Sequence, residues 1–323
     1  MSTQMRPVIL GAAVAAALLF ATRARADGEQ KPAADAAPAH VHGGAEEASD
    51  KDSMVPLHQK HPLDRHPPRP RGSSLQLKVG DGTALAYVAK PHGRVRGAIL
   101  VLHEYWGLND WIRHQADVLA SEGYLALAVD LYKGKVATDP REAGALMQGK
   151  DEKWGDQVEE AGLEWLKSNA PGAKVATIGW CMGGGESLNS TLHDPKDVSA
   201  TVIYYGMPVT DLAQLKSLRG PVLGIYAKKD GWITPDKVAA FDKALTEAGV
   251  KHEIHSYDAD HAFANPSSGK YQPAAAKDAW KKTEAFLAAN LPGKQASLRS
   301  GSADPLNARP IDGTESACRG RYA

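Results

Sequence analysis

Between residues 75 and 290 the chain alternates between two hydrophobic rhythms. Short apolar or every-other-residue runs predict strands over 75–79, 84–89, 97–103, 124–131, 175–180, 201–205, 222–227 and 252–257. Apolar positions three and four apart predict helices over 111–122, 235–248 and 274–290, and two more within 139–169 that break near Gly149. The ends carry their own signals. Gly80-Asp81-Gly82 separates the first two strands as a hairpin turn, Gly123 and Gly249 stand where helices stop, and Thr234 is a candidate N-cap ahead of Pro235. The Gly97–His103 run is apolar at successive positions, so this strand should be covered on both faces. Strands alternating with helices imply an α/β fold, a mainly parallel twisted sheet with helices on both faces.

The rhythm is confined to residues 73–293. Residues 1–26 read as a secretory signal: Arg6 is a basic start, Val8–Ala21 is an apolar run of 14 residues, and Ala24-Arg25-Ala26 is a small-x-small cleavage site. Such a run is too short to span a bilayer comfortably, although an uncleaved anchor is the alternative. A periplasmic or secreted protein is expected. Residues 27–72 are rich in Pro, Ala, His and charge and read as a disordered linker. Its histidines His40, His42, His58, His61 and His66 do not fall at the spacing of a known metal site, so no metal is expected, with a loose metal-buffering tail as the alternative. Residues 294–323 read as a disordered tail.

Composition is ordinary for a soluble chain of 323 residues, with 43% hydrophobic and 24% charged positions. Lys+Arg and Asp+Glu both number 38; loss of the signal removes three arginines and no acid, leaving a formal charge of −3. No strong field therefore favours nucleic acid or an anionic membrane. The two cysteines, Cys181 and Cys318, raise the question of a bridge in an exported chain. Cys318 lies in the polar tail and Cys181 in a Gly-rich turn whose chemistry a bridge would abolish, so free thiols are expected.

That turn is Gly179-Trp180-Cys181-Met182-Gly183, entered by a β-branched run and left by a helix-like stretch. It has the form of a nucleophile elbow with cysteine in place of serine. A sharp strand-to-helix turn needs small residues two before and two after the nucleophile. The N–H of Met182 then opens a helix and can face a developing oxyanion. A buried structural cysteine in a Gly-rich turn is the bland alternative.

A cysteine nucleophile needs a base, and the base an orienting acid. In open parallel sheets such groups collect beyond the carboxyl ends of strands. Asp230 follows the strand that ends at Ala227, and His261 follows the strand that ends at Tyr257. The chain order Cys, Asp, His is that of the α/β-hydrolase architecture. Asp258 and Asp260 compete with Asp230 but lie close to His261 in sequence, and His103 also ends a strand.

With these residues in view, the sequence resembles the dienelactone hydrolases, the cysteine-nucleophile branch of the α/β-hydrolases. The resemblance covers residues 73–293 and rests on Gly179–Gly184, Lys229-Asp230, His261-Ala262-Phe263 and His103-Glu104-Tyr105-Trp106-Gly107. It implies that Glu104 contacts the resting thiol and controls ionisation of Cys181. It also implies arginines that hold a substrate carboxylate. Arg141 is the nearest candidate for one, and Asn265 stands where the other is expected, which puts the family's namesake lactone in doubt.

The expected reaction is hydrolysis of a small-molecule ester or lactone, without cofactor, by a monomer that binds no nucleic acid and is not inserted stably in a membrane. Cys181 attacks as a thiolate and forms a thioester acyl-enzyme, His261 moves the proton, and Asp230 holds the imidazole. The Met182 N–H and one from Glu104–Tyr105, taken as that of Tyr105, form the oxyanion hole, and Tyr105, Trp106 and Phe263 line an apolar pocket. The alternative is an exported binding protein that keeps the fold without turnover.

Overall fold

A hairpin opens the fold. β1 (Ser73–Val79) and β2 (Gly82–Ala89) pair antiparallel around Gly80, whose φ of 54° suits a residue without a side chain. The computed structural model describes residue 67 and residues 69–291. The hairpin is followed by β3 (Gly97–Leu102), α1 (Asp110–Ser121), β4 (Tyr124–Val129), α2 (Pro140–Gln148), α3 (Glu152–Asn169), β5 (Val175–Trp180) and α4 (Met182–His193). The chain continues with β6 (Val198–Tyr204), α5 (Leu212–Leu215), β7 (Val222–Ala227), α6 (Pro235–Glu247), β8 (His252–Tyr257) and α7 (Pro273–Asn290). α5, a single turn, has no counterpart in the sequence reading, and α4 is the helix-like stretch that leaves the Gly-rich turn.

The eight strands form one sheet in the order β1-β2-β4-β3-β5-β6-β7-β8. β2 runs antiparallel to both neighbours, and β3 to β8 are parallel throughout. The carboxyl ends of β3, β5, β6, β7 and β8 therefore share one edge. Period-two alternation sends neighbouring residues to opposite faces. Ile99, Val101, Ala128 and Ile178 meet Ile112 and Leu119 of α1 and Phe286 of α7. Leu100, Leu102 and Leu127 meet Val158, Leu163 and Leu166 of α3. Farther along that sheet, Ile203 and Tyr226 meet Leu188 of α4 and Phe241 of α6. β3 is buried at every position, as its unbroken apolar run predicts.

Side-chain caps fix several helix starts. Asn109 accepts the Ile112 N–H at 3.2 Å, Asp139 the Arg141 and Glu142 N–H groups at 2.8 and 2.9 Å, and Asp151 the Trp154 N–H at 3.1 Å. Thr234 departs from expectation: it occupies the cap position of α6, but its side chain makes no capping bond, and Pro235 pre-sets the first turn instead. The expected linker boundary at residue 72 also moves. Arg71 and Gly72 already donate backbone N–H bonds to Asp117 of α1 at 2.9 and 3.2 Å, so the packed chain begins before β1. The expected signal, the rest of the expected histidine-bearing linker and the expected tail with Cys318 lie outside the described residues. Among the described residues no helix is long and apolar enough to cross a membrane.

Candidate active site

Cys181 sits between β5 and α4 with φ 57° and ψ −119°, a conformation L-residues rarely hold. Its N–H donates to Tyr204 O at 3.0 Å, which extends the β5–β6 ladder into the turn. The flanking glycines are a steric requirement. A Cβ on Gly179 would lie 1.9 Å from Gly183 O, and one on Gly183 would lie 2.3 Å from Leu102 O. The Gly-x-Cys-x-Gly spacing thus lets α4 close against the ends of β5 and β3. Cys181 is a free thiol and is buried.

His261 and Asp230 arrive from the loops after β8 and β7. His261 Nδ1 and Asp230 Oδ2 are 2.6 Å apart. The other Asp230 oxygen accepts the N–H groups of Trp232 and Ile233, each at 2.9 Å. Burial would raise the Asp230 pKa, but the His261 bond and these two N–H donors bring it below the usual carboxylate range. Burial would lower the His261 pKa; the bond to Asp230 and the adjacent Cys181 sulfur outweigh it and lift it to about 10. His261 Nε2 is buried without an aligned hydrogen bond, and the adjacent Cys181 acts on the ring both as a hydrogen-bonding neighbour and through its charge. Asp258 and Asp260 do not compete: they pair with Lys229 and Lys270 on the surface.

Glu104 follows β3 and is buried at the same edge. Burial raises its pKa to about 7, against the opposing pull of a bond from Asn265 Nδ2 and of His261. The preceding His103 is structural: its Nδ1–H donates to Glu104 O at 2.6 Å and its Nε2 accepts the Leu131 N–H at 3.1 Å. Burial lowers its pKa, which keeps it neutral, and the two bonds fix the tautomer. Burial also raises the pKa of Tyr105, with Cys181 and Glu104 acting the same way. Met182 is the first residue of α4, where a helix N–H has no intrahelical acceptor.

Cys181 and His261 line one cavity of about 340 Å³. Its wall includes Tyr205, Met207, Val209, Trp232, Met147 and Glu186, none of which the sequence reading singled out. Tyr205 follows β6 with φ 38°, its ring 5.0 Å from that of His261; the strand-end rule that found Asp230 and His261 applies to it equally.

Five expected substrate or pocket contacts are corrected. Phe263 is fully buried between Tyr205 and Tyr257 and belongs to the core. Arg141 is exposed near the start of α2 and does not line the cavity, whereas Met147 of the same helix does. Asn265 is buried, donates to Glu104 and accepts from Ser267 N–H and Oγ at 2.8 and 2.6 Å, so its amide is already engaged. Trp106 packs edge-on against Tyr105 at 4.6 Å, and both lie outside the cavity wall. Among the described residues no group of three or more His, Cys, Asp or Glu side chains is placed to hold a metal ion.

A mostly parallel sheet with an elbow after β5 and groups from four other strand ends beside it defines an α/β-hydrolase. The chain belongs to the dienelactone hydrolase family, whose sequence pattern matches residues 85–291. It is 34% identical over 227 residues to "Protein usf" of Aquifex pyrophilus, covering 67% of this chain and 97% of that one. It is 32% identical over 227 residues to the "Putative carboxymethylenebutenolidase" of Aquifex aeolicus, with the same coverage of 67% and 97%. A crystal structure titled as a "Putative Dienelactone Hydrolase" from Klebsiella pneumoniae superposes with a TM-score of 0.60 at 29% identity, covering 67% of this chain and 98% of that one. The protein is accordingly a hydrolase of this family.

Proposed function

We propose that the protein hydrolyses a carboxylic ester or lactone through Cys181, His261 and Asp230, with a thioester acyl-enzyme. The observation that carries this reading is His261, bound to Asp230 through Nδ1 and set beside the Cys181 sulfur in one cavity. The Cys181 thiol gives its proton to His261 Nε2, and the sulfur attacks the carbonyl carbon. The resulting oxyanion is stabilised by the Met182 N–H and by that of Tyr105; such donors are typically worth about 3 kcal/mol of barrier each. Collapse breaks the acyl–oxygen bond, and the departing alkoxide takes the proton from His261. Water then gives a proton to His261, attacks the thioester, and collapse releases the acid and restores the thiol. Asp230 stabilises the imidazolium in both halves. Glu104, held by Asn265 in the same buried corner, biases the ionisation of Cys181 more strongly as it loses its own proton around neutral pH. The substrate is a small molecule, and the steps need no cofactor. An exported monomer is the proposed working form.

The test is a panel of chromogenic esters and lactones against the purified protein. Cys181→Ala and His261→Ala are each expected to lose several orders of magnitude in kcat/KM, and Cys318→Ser almost nothing. Full activity in Cys181→Ala overturns the proposal. Slow alkylation of Cys181 near neutral pH, together with no turnover, assigns the cavity to binding alone.

A further inference from the structure

The charge of the cavity is set by a pair of residues that the proposed steps do not use. Glu186 lies on α4 five residues after Cys181, is nearly buried and lines the cavity. Its Oε1 accepts from Lys150 Nζ at 2.6 Å, while Oε2 keeps only a long contact of 3.5 Å with Asn189 Nδ2. Lys150 is buried in turn and also bonds Glu152 Oε2 at 2.6 Å, so two carboxylates already hold its charge. Lys150 does not line the cavity, and neither does Arg141. Of the described residues that do, His261 is the one basic side chain, and it is bound to Asp230. Most of the remaining wall is apolar: Met147, Met182, Met207, Val209, Trp232 and Ile233.

We propose that this cavity selects esters with an uncharged acyl group over those that carry a carboxylate, and that Glu186 enforces the choice. The proposal rests on the hydrolase reading for its ligand being an ester. A substrate carboxylate entering here gives up water, finds no guanidinium or ammonium among the described lining residues and only a His261 whose charge Asp230 and the Cys181 sulfur already share, and meets the open oxygen of Glu186. A desolvated anion without a partner is costly, and a like charge adds to that cost. A neutral chain loses nothing polar and covers the apolar wall. Glu186 Oε2 remains able to accept a hydrogen bond from a substrate hydroxyl.

The experiment compares p-nitrophenyl butyrate with mono-p-nitrophenyl succinate, each rate divided by that ester's rate with glutathione. Wild type is expected to favour the neutral ester by about tenfold or more, the factor that 1.4 kcal/mol represents. Glu186→Gln, and independently Asn189→Lys at the accessible edge of the same wall, should shift that ratio toward the anionic ester. Equal rates or a preference for succinate overturn the proposal, as does a ratio that neither variant moves. A second arm needs no turnover: protection of Cys181 from iodoacetamide by butyramide against butyrate. Better protection by the amide supports the charge selection even if no ester is cleaved, in which case the hydrolase reading falls alone. Better protection by butyrate overturns the selection and leaves the hydrolase reading standing.

Discussion

Replacing Glu104 by Gln tests the electrostatics of the buried corner directly. The amide keeps the shape and can still accept from Asn265 Nδ2, while the ionisable proton is lost. Burial raises the Glu104 pKa from 4.5 to about 7. In the unfolded chain the group ionises near its ordinary value; in the fold it keeps its proton to neutral pH. Between those limits the folded state binds more protons, so stability falls as pH rises. At 1.36 kcal/mol per pKa unit, this rise corresponds to a wild-type loss of about 3 kcal/mol, nearly complete by pH 8. Glu104→Gln has no such loss. Its stability relative to wild type should therefore grow by about 2 to 3 kcal/mol between pH 5 and pH 8. Urea midpoints of both proteins at four pH values read this difference. Glu122, which burial also raises to about 7, titrates in both proteins and cancels. Parallel curves, with a constant gap across the range, would refute a buried carboxyl that ionises near neutrality.

Asp230→Asn is expected to lower kcat on a chromogenic ester by about 10²- to 10⁴-fold, because the imidazolium loses its counter-charge. An NMR titration of His261 in that variant should show its pKa well below the wild-type value of about 10; an unchanged titration would mean that the carboxylate does not set it. Gly183→Ala places a Cβ 2.3 Å from the backbone oxygen of Leu102, so the elbow must open. A loss of about 3 kcal/mol in urea unfolding is expected, and a variant as stable as wild type would show that the turn tolerates a side chain.

The strands, most of the helices and the three candidate catalytic residues were legible because each depends on local or one-dimensional information. Hydrophobic period places an element, and the parallel order places the end of each strand on one edge. What failed needed the direction in which a side chain points. Phe263 lies two residues after His261, yet Ala262 between them has φ 65°, and the backbone turns there. His261 therefore faces the cavity while Phe263 enters the core beside Tyr205. Arg141 and Met147 share α2, but six residues put them about 120° apart around its axis, and the cavity takes only Met147. The Lys150–Glu186 pair joins residues 36 positions apart, a distance that no local pattern reports. The proposed chemistry of attack thus depends on strand ends and glycines, which a sequence displays. The proposed choice of substrate depends on the wall, where α2, α4 and the loops after β6 and β7 meet. That division makes the elbow and the cavity wall separable by mutation. Changes at Glu186 should move the neutral-to-anionic preference, while changes at Cys181, His261 or Asp230 should depress every ester alike.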